Sequence, residues 1–300
     1  MSHDHNHGHH DHHDHDESGN IGVAFFLNLS FAVIEVVGGL LTNSVAILSD
    51  ALHDVGDSLA LALAWYLQRV SGRGRDRRYT YGYRRFSLLG ALAGSVILVV
   101  GSLVIVFAAV PRLITPQPTV TWGMLALAVL GIVVNGAAVL RLKKGSSQNA
   151  KVAALHLLED VLGWGAVLVG ALIIHFTGWY WIDPLLSLGI AAFILVTALG
   201  ALRSSAKILL QGIPEGVDLA AIEARLSAVA GVASFHDLHL WSLDGEHTIL
   251  TVHLVLDGPV TQETACGVKH ETAAAMRELG IEHCTLELEG ADESCVRCCP

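Results

Sequence analysis

Residues 51–65 read ALHDVGDSLALALAW. From Ser58 onward the run is ordinary membrane-helix material, but before it His53, Asp54 and Asp57 follow Asp50 within eight residues. An ionised side chain at the centre of a bilayer costs about 2.5–3.5 kcal/mol on insertion scales, so a span that keeps one is expected to use it. His53 and Asp57 are four residues apart and share a helix face. The chain repeats the device in ALHLLEDVLGWG, residues 154–165, where His156 and Asp160 stand behind the same Ala-Leu pair. Two imidazoles and two carboxylates on packed helices make four ligands of the number and type a tetrahedral Zn²⁺ takes. Calcium and magnesium prefer six or more oxygens and fit such a set poorly. The competing reading, in which the charges only pair with one another, suits a lone intramembrane histidine better than a duplicated pair.

Working outward, six apolar stretches are expected near residues 21–41, 45–68, 86–110, 120–142, 151–176 and 181–203. Each is long enough for the roughly 20 residues that cross a bilayer core. Of the 300 residues 52% are hydrophobic and 15% charged, against about 25% charged in soluble domains, which points to a membrane protein. Gly, Pro, Asn and Ser punctuate the joins, as in LLTNSV and TPQPT, and Trp122, Trp179, Tyr180 and Trp181 sit where an aromatic belt is expected. The predicted fold is an all-α six-helix transmembrane bundle. The join QRVSGRGRDRRYTYGYRR, residues 68–85, holds seven arginines, and Arg141, Lys143, Lys144, Lys151, Arg203 and Lys207 cluster on the same side. The opposite joins hold only Arg112. By the positive-inside rule both termini face the cytoplasm, so the predicted location is the inner cell membrane, crossed several times. The first twenty residues are polar and give no cleavable signal peptide. The net charge of −10 excludes nucleic acid as a partner, leaving the lipid bilayer.

Four segments are expected: 1–20, 21–205, 206–290 and 291–300. The first, MSHDHNHGHHDHHDHDESGN, carries eight histidines interleaved with Asp and nothing to build a core, which predicts a disordered tail that holds metal loosely. After the last span, Asp218–Val229 reads as an amphipathic helix. VASFHDLHLWSL and HTILTVHLVLD alternate like strands around a hairpin turn LDGEH. Thr261–Leu279 reads as a second helix and HCTLELE as a third strand, giving a small cytoplasmic α+β domain of order αββαβ. All five cysteines lie in the last 35 residues, which suits free thiols in a reducing compartment better than a disulfide framework. Cys295 and Cys298 have C-x-x-C spacing, half of a zinc site, with Cys299 beside them.

A structural zinc would not need ionisable ligands in mid-membrane, and a catalytic zinc keeps an open position that two pairs of ligands leave no room for. A carrier binds on one side and releases on the other. Metal ligation needs deprotonated ligands and histidine titrates near pH 6.5, so protons compete for the site and an inward proton gradient can drive efflux. Asp50 is placed to line the outer route, Asp54 to serve packing or water contact, and Glu35 and Asn135 to line a wet cavity. Glu159 points away from Asp160, and His175 sits at the outer interface. The alternatives are a membrane metalloenzyme, for which no H-E-x-x-H is present, and a metal-sensing receptor.

In NSVAILSDALHDVGDS, YTYGYRRFSLLGAL, ALHLLEDVLG, WIDPLLSL and HDLHLWSL, the chain resembles the cation diffusion facilitators, in particular the bacterial zinc and cobalt–zinc–cadmium efflux members, over about residues 20–290. The resemblance implies six spans, a metallochaperone-like cytoplasmic domain, a homodimer and metal–proton antiport. It implies a transport site at His53, Asp57, His156 and Asp160. Zinc is the cargo implied by histidine in the first position, with Cd²⁺ and Co²⁺ as the alternatives. It also implies a regulatory zinc in the cytoplasmic domain at His236 and His253, with His270 a looser match. Where some members carry His and Asp on the final strand, this chain carries Glu287 and Glu289. The inner loop that is histidine-rich in some relatives is only KKGSSQNAK here, which leaves that role to the N-terminal tail.

Overall fold

The computed structural model describes residues 14–142 and 148–290; the N-terminal histidine-rich stretch up to residue 13 and the C-x-x-C tail lie outside them. Six long helices come first: α1 Asp14–Thr42, α2 Val45–Ser71, α3 Arg85–Ile114, α4 Thr121–Leu142, α5 Gln148–Thr177 and α6 Ile182–Leu209. The C-terminal part follows as α7 Leu219–Ser227, β1 Val232–Ser242, β2 Thr248–Leu256, α8 Gln262–Glu278 and β3 His283–Glu289. The expected order, six helices then αββαβ, is the order found. The first helix starts earlier than expected, at Asp14, inside the segment read as tail.

Helices α3 and α6, with 121–140 of α4 and 157–177 of α5, are long and apolar enough to cross a membrane. The described apolar part of α1, Asn28–Thr42, is shorter, and α2 carries the His and Asp residues of the opening stretch. Together they form a helical membrane domain, and the chain is a multi-pass membrane protein. Its core runs through α1, α2, α4, α5 and α6: Phe31, Ile47, Met124, Trp164, Ile174 and Ile182 belong to one buried cluster. Trp164 is fully buried and meets Phe31 edge-on at 6.0 Å between ring centroids. It fits because residue 131 is glycine; a Cβ there would come within 2.3 Å of the indole.

The tight turn between α1 and α2 is held from a distance. Asn43 adopts a left-handed backbone (φ 56°). Ser44 Oγ accepts from Ile47 N–H as an ordinary N-cap. The next donors go to another helix: Asp183, in the first turn of α6, accepts from Val45 N–H at 2.8 Å, Ala46 N–H at 3.4 Å and the Ser44 hydroxyl. A buried carboxylate from α6 thus completes the N-terminal cap of the helix that carries His53 and Asp57.

By contacts the described residues divide into two compact units, the breaks falling after Tyr66, Leu92 and Gly200. The second unit holds residues 67–92 together with everything after 200. In it the sheet runs β1-β2-β3, with β2 antiparallel to β1 and parallel to β3. Leu250, Val252, Leu254 and Leu256 of β2 pack on Ile222 and Leu226 of α7 and Val268 and Met276 of α8. With a side-chain period of two, Thr251, His253 and Val255 face the other way. Asp218 caps α7 and Thr261 caps α8, the latter with a capping box closed by Thr264.

Candidate metal centre

In the membrane domain, His53 Nε2 and Asp57 Oδ2 on α2 lie 3.7 Å apart, as the i,i+4 spacing predicts, and both side chains keep about a fifth of their exposure. Asp50 Oδ1 of α2 lies 3.8 Å from where a Cβ on Gly163 of α5 would stand. Asp160 acts electrostatically on both Asp50 and Glu35. His156 lies on α5, but its side chain is outside the described residues. Asp50, Asp54 and Glu35 are buried, so of the two roles expected for Asp54 it takes packing and not water contact. Asn28 of α1 donates to the Asp54 carbonyl at 3.2 Å and to Ser58 Oγ at 3.0 Å, tying α1 to this part of α2. Glu35 is fully buried and no hydrogen bond of ordinary geometry reaches its carboxyl oxygens among the described residues; its charged neighbours are Asp54, Asp50 and Asp160. Asn135 is buried on α4, and His175 packs against Trp122 at 5.0 Å, away from these groups. The sequence pointed to Glu35 only as a polar point. Its company with Asp54 depends on how α1 packs on α2, which periodicity does not give.

The second cluster lies on the sheet face opposite the helices. His236 of β1 and His253 of β2 are register partners, and Glu287 of β3 is the partner of His253 on its other side. His236 Nε2 stands 3.0 Å from Glu289 Oε2, and His253 Nδ1 2.6 Å from Glu289 Oε1. His253 Nε2 is 3.3 Å from Glu287 and 3.6 Å from Asp237. Ligand atoms of His236, His253 and Glu289 all fall within 4.8 Å of one another. Nitrogen and oxygen donors around one tetrahedral zinc stand roughly 3.3 Å apart, so the trio fits a metal. Burial pushes the Glu289 carboxyl up, but hydrogen bonds from His236 and His253 outweigh it and hold the group below its usual range.

Asp237 joins the cluster through backbone conformation. Between His236 and His239 the β1–β2 register shifts, and Asp237 sits there with φ 52°. The extra residue bends the strand and re-aims its side chains. The Asp237 carboxylate thereby reaches His239 Nε2 at 3.0 Å as well as His253. The alternating pattern of the strand gave no sign of this. His270 is exposed on α8, on the helical side of the sheet, and does not join the trio. Cys295 and Cys298 lie outside the described residues.

The family profile described as the cation efflux transmembrane domain matches residues 21–210, and that of the cation efflux protein cytoplasmic domain matches 214–291. The chain belongs to the cation efflux family, the cation diffusion facilitators. Among curated relatives of this cation efflux protein, the cation efflux system protein CzcD of Alcaligenes sp. (strain CT14) is 37% identical over 290 residues, covering 96% of this chain and 89% of that protein. The cadmium, cobalt and zinc/H(+)-K(+) antiporter of Bacillus subtilis (strain 168) is 32% identical, covering 96% and 92%. The zinc transporter ZitB of Escherichia coli (strain K12) is 33% identical, covering 96% and 93%. A solved structure, the metal-bound C-terminal domain of the CzcD transporter, is 40% identical over 24% of this chain and 99% of that one, with a TM-score of 0.23. The chain is therefore a metal-cation efflux transporter and not an enzyme.

Proposed function

We propose that the chain exports a divalent transition metal, Zn²⁺ foremost, from the cytoplasm by alternating access at His53, Asp57, His156 and Asp160, with inward protons as counter-ion. The observation that carries the reading is the approach of α2 and α5 at Asp50 and Gly163, two helices that run in opposite directions if α3 and α4 between them each cross the membrane. Three residues further along α2 comes His53, and three residues back along α5 comes Asp160; four more steps reach Asp57 and His156. Both helices rise about 1.5 Å per residue, so each histidine position is level with an aspartate position of the other helix. Buried Glu35, Asp50 and Asp54 beside the half-buried Asp160 favour a dication, because like charges repel strongly where water is scarce. Two imidazoles with two carboxylates suit zinc over manganese, which prefers more oxygen. The relatives named for zinc, cobalt and cadmium make Co²⁺ and Cd²⁺ the alternative cargoes, and the one named an antiporter supports counterflow of protons.

His236, His253 and Glu289, with Asp237 and Glu287 beside them, hold a regulatory zinc in the C-terminal domain. When bound, that metal ties the three strands together; the protein's part is to present the donors from one sheet face. The transporter works as a homodimer in the inner membrane with both termini in the cytoplasm. Segment 1–20 acts there as a metal buffer ahead of the membrane part, 21–205, and the α+β part, 206–290, while Cys295 and Cys298 of segment 291–300 offer two thiol ligands of C-x-x-C spacing.

Reconstituted vesicles test the transport reading. Wild type is expected to take up zinc with counterflow of protons, and Asp57→Ala or His156→Ala to lose more than about tenfold in rate. Intact flux in both variants would remove the site, and absence of flux in the wild type would favour a metal sensor. His53→Asp is expected to admit cadmium better, read metal by metal in the same vesicles.

A further inference from the structure

Residues 68–85 join two spans and carry seven arginines and no lysine. The orientation rule counts either cation equally and asks for no particular shape. This segment nevertheless has a definite shape, and its one acidic residue makes it. Asp76 Oδ1 accepts from Arg78 N–H at 2.7 Å and Tyr79 N–H at 2.8 Å, and Oδ2 accepts from the Tyr83 hydroxyl at 2.8 Å. Tyr79, Tyr83 and Phe86 close into an aromatic cluster with centroids 4.5–5.5 Å apart. Asp76 is thus spent on folding the loop. Among the described residues none of the seven arginines forms an ion pair with a carboxylate.

Three of these cations line one cavity of about 390 Å³. Arg78, Arg84 and Arg85 share its wall with Tyr79, Phe86 and Trp241, and no Asp or Glu lines it. The Nε of Arg85 is buried and has no hydrogen-bond partner among the described residues. A buried donor left unmade costs free energy, and a guanidinium beside two others is matched by an anion with several oxygens. Arginine's planar fork suits phosphate better than lysine's point charge does. The apolar ring wall favours a phosphate attached to something greasy. Arg85 is also the first residue of the span Arg85–Ile114, and the end of a span is the level at which lipid headgroups are met.

We propose that the cavity lined by Arg78, Arg84 and Arg85 seats the phosphate headgroup of an anionic phospholipid in the leaflet at the α2–α3 loop.

The full-length protein in mild detergent tests this by native mass spectrometry with phosphatidylglycerol, phosphatidylcholine and inorganic phosphate as probes. Wild type is expected to retain phosphatidylglycerol in preference to phosphatidylcholine, and inorganic phosphate in molar excess to leave that retention unchanged. R78Q/R84Q/R85Q is expected to lose the preference by about tenfold, while Arg69, Arg73, Arg75 and Arg77 still orient the spans. Arg84→Lys with Arg85→Lys, which keeps charge and insertion, is expected to lose part of it. An unchanged preference in the triple glutamine variant overturns the proposal. Displacement of the lipid by inorganic phosphate overturns it too, in favour of a free-phosphate site. Should the triple variant not fold, the exposed Arg78→Gln alone decides by the same readout: a weakened preference supports the site, and an unchanged one refutes it.

Discussion

Asp237 does two jobs that substitution can separate. Its left-handed backbone makes the bulge, and its carboxylate faces His239 and His253. Asp237→Gly keeps the backbone at ease and removes only the carboxylate. It is expected to weaken zinc binding to the C-terminal domain while leaving thermal stability nearly unchanged. Asp237→Val is expected to destabilise by about 1–2 kcal/mol, because a β-branched side chain resists positive φ. Glu289→Ala removes the group shared by both histidines, and calorimetric zinc affinity should fall by at least about tenfold. The hairpin turn gives a pH effect of definite sign. Burial raises the Asp244 carboxyl, but N–H groups of His247 and Glu246 and the His247 ring more than offset this, leaving it below its ordinary value. Its contribution is therefore present above the unfolded-state value near 3.9 and is lost as pH falls through the lowered folded-state value. Asp244→Asn should flatten the acid limb of the unfolding curve, measured by circular dichroism.

At the scale of elements, the capping of α2 by Asp183 is a lever on transport from the far end of the helix. Asp183→Ala strands two buried N–H groups and the Ser44 hydroxyl, at a cost of about 2–4 kcal/mol. The half-aggregation temperature in detergent is expected to fall, and zinc flux with it, since α2 carries His53 and Asp57; normal values of both would show the cap to be dispensable. WIDPLLSL was legible as the start of a span, yet the partner of Asp183 lies 139 residues away, and nothing local announces so distant a bond. The helices themselves were readable because apolar runs of this length have few other solutions. Their ends moved by a few residues, since α3 continues through Pro111 to Ile114 and α6 reaches Leu209. The strands were readable from alternation, but pairs counted back from the LDGEH turn would set His253 opposite Asp237; the extra residue in β1 brings His236 opposite it instead. The bulge broke that alternation, so Asp237 could not be read as a ligand.

For the whole molecule, what was legible followed from what must be buried. Lipid and the C-terminal core each select a residue pattern, and the duplicated His-x-x-x-Asp stood out because it violated the first. Placement of polar groups across helices, such as Glu35 beside Asp54, depends on packing that no single segment encodes. The tail belongs to this scale as well. Removing residues 2–17 is expected to raise the zinc concentration for half-maximal flux while sparing the maximal rate; complete loss of transport would give the tail a larger part. The packing of Trp164 supplies an optical handle on the cycle. It lies four residues from Asp160, sealed against Phe31 and the bare backbone of Gly131. Any tilt of α5 that admits water there should redden and dim its emission, so a chain whose other five tryptophans are replaced by phenylalanine would glow differently at each stage of metal release.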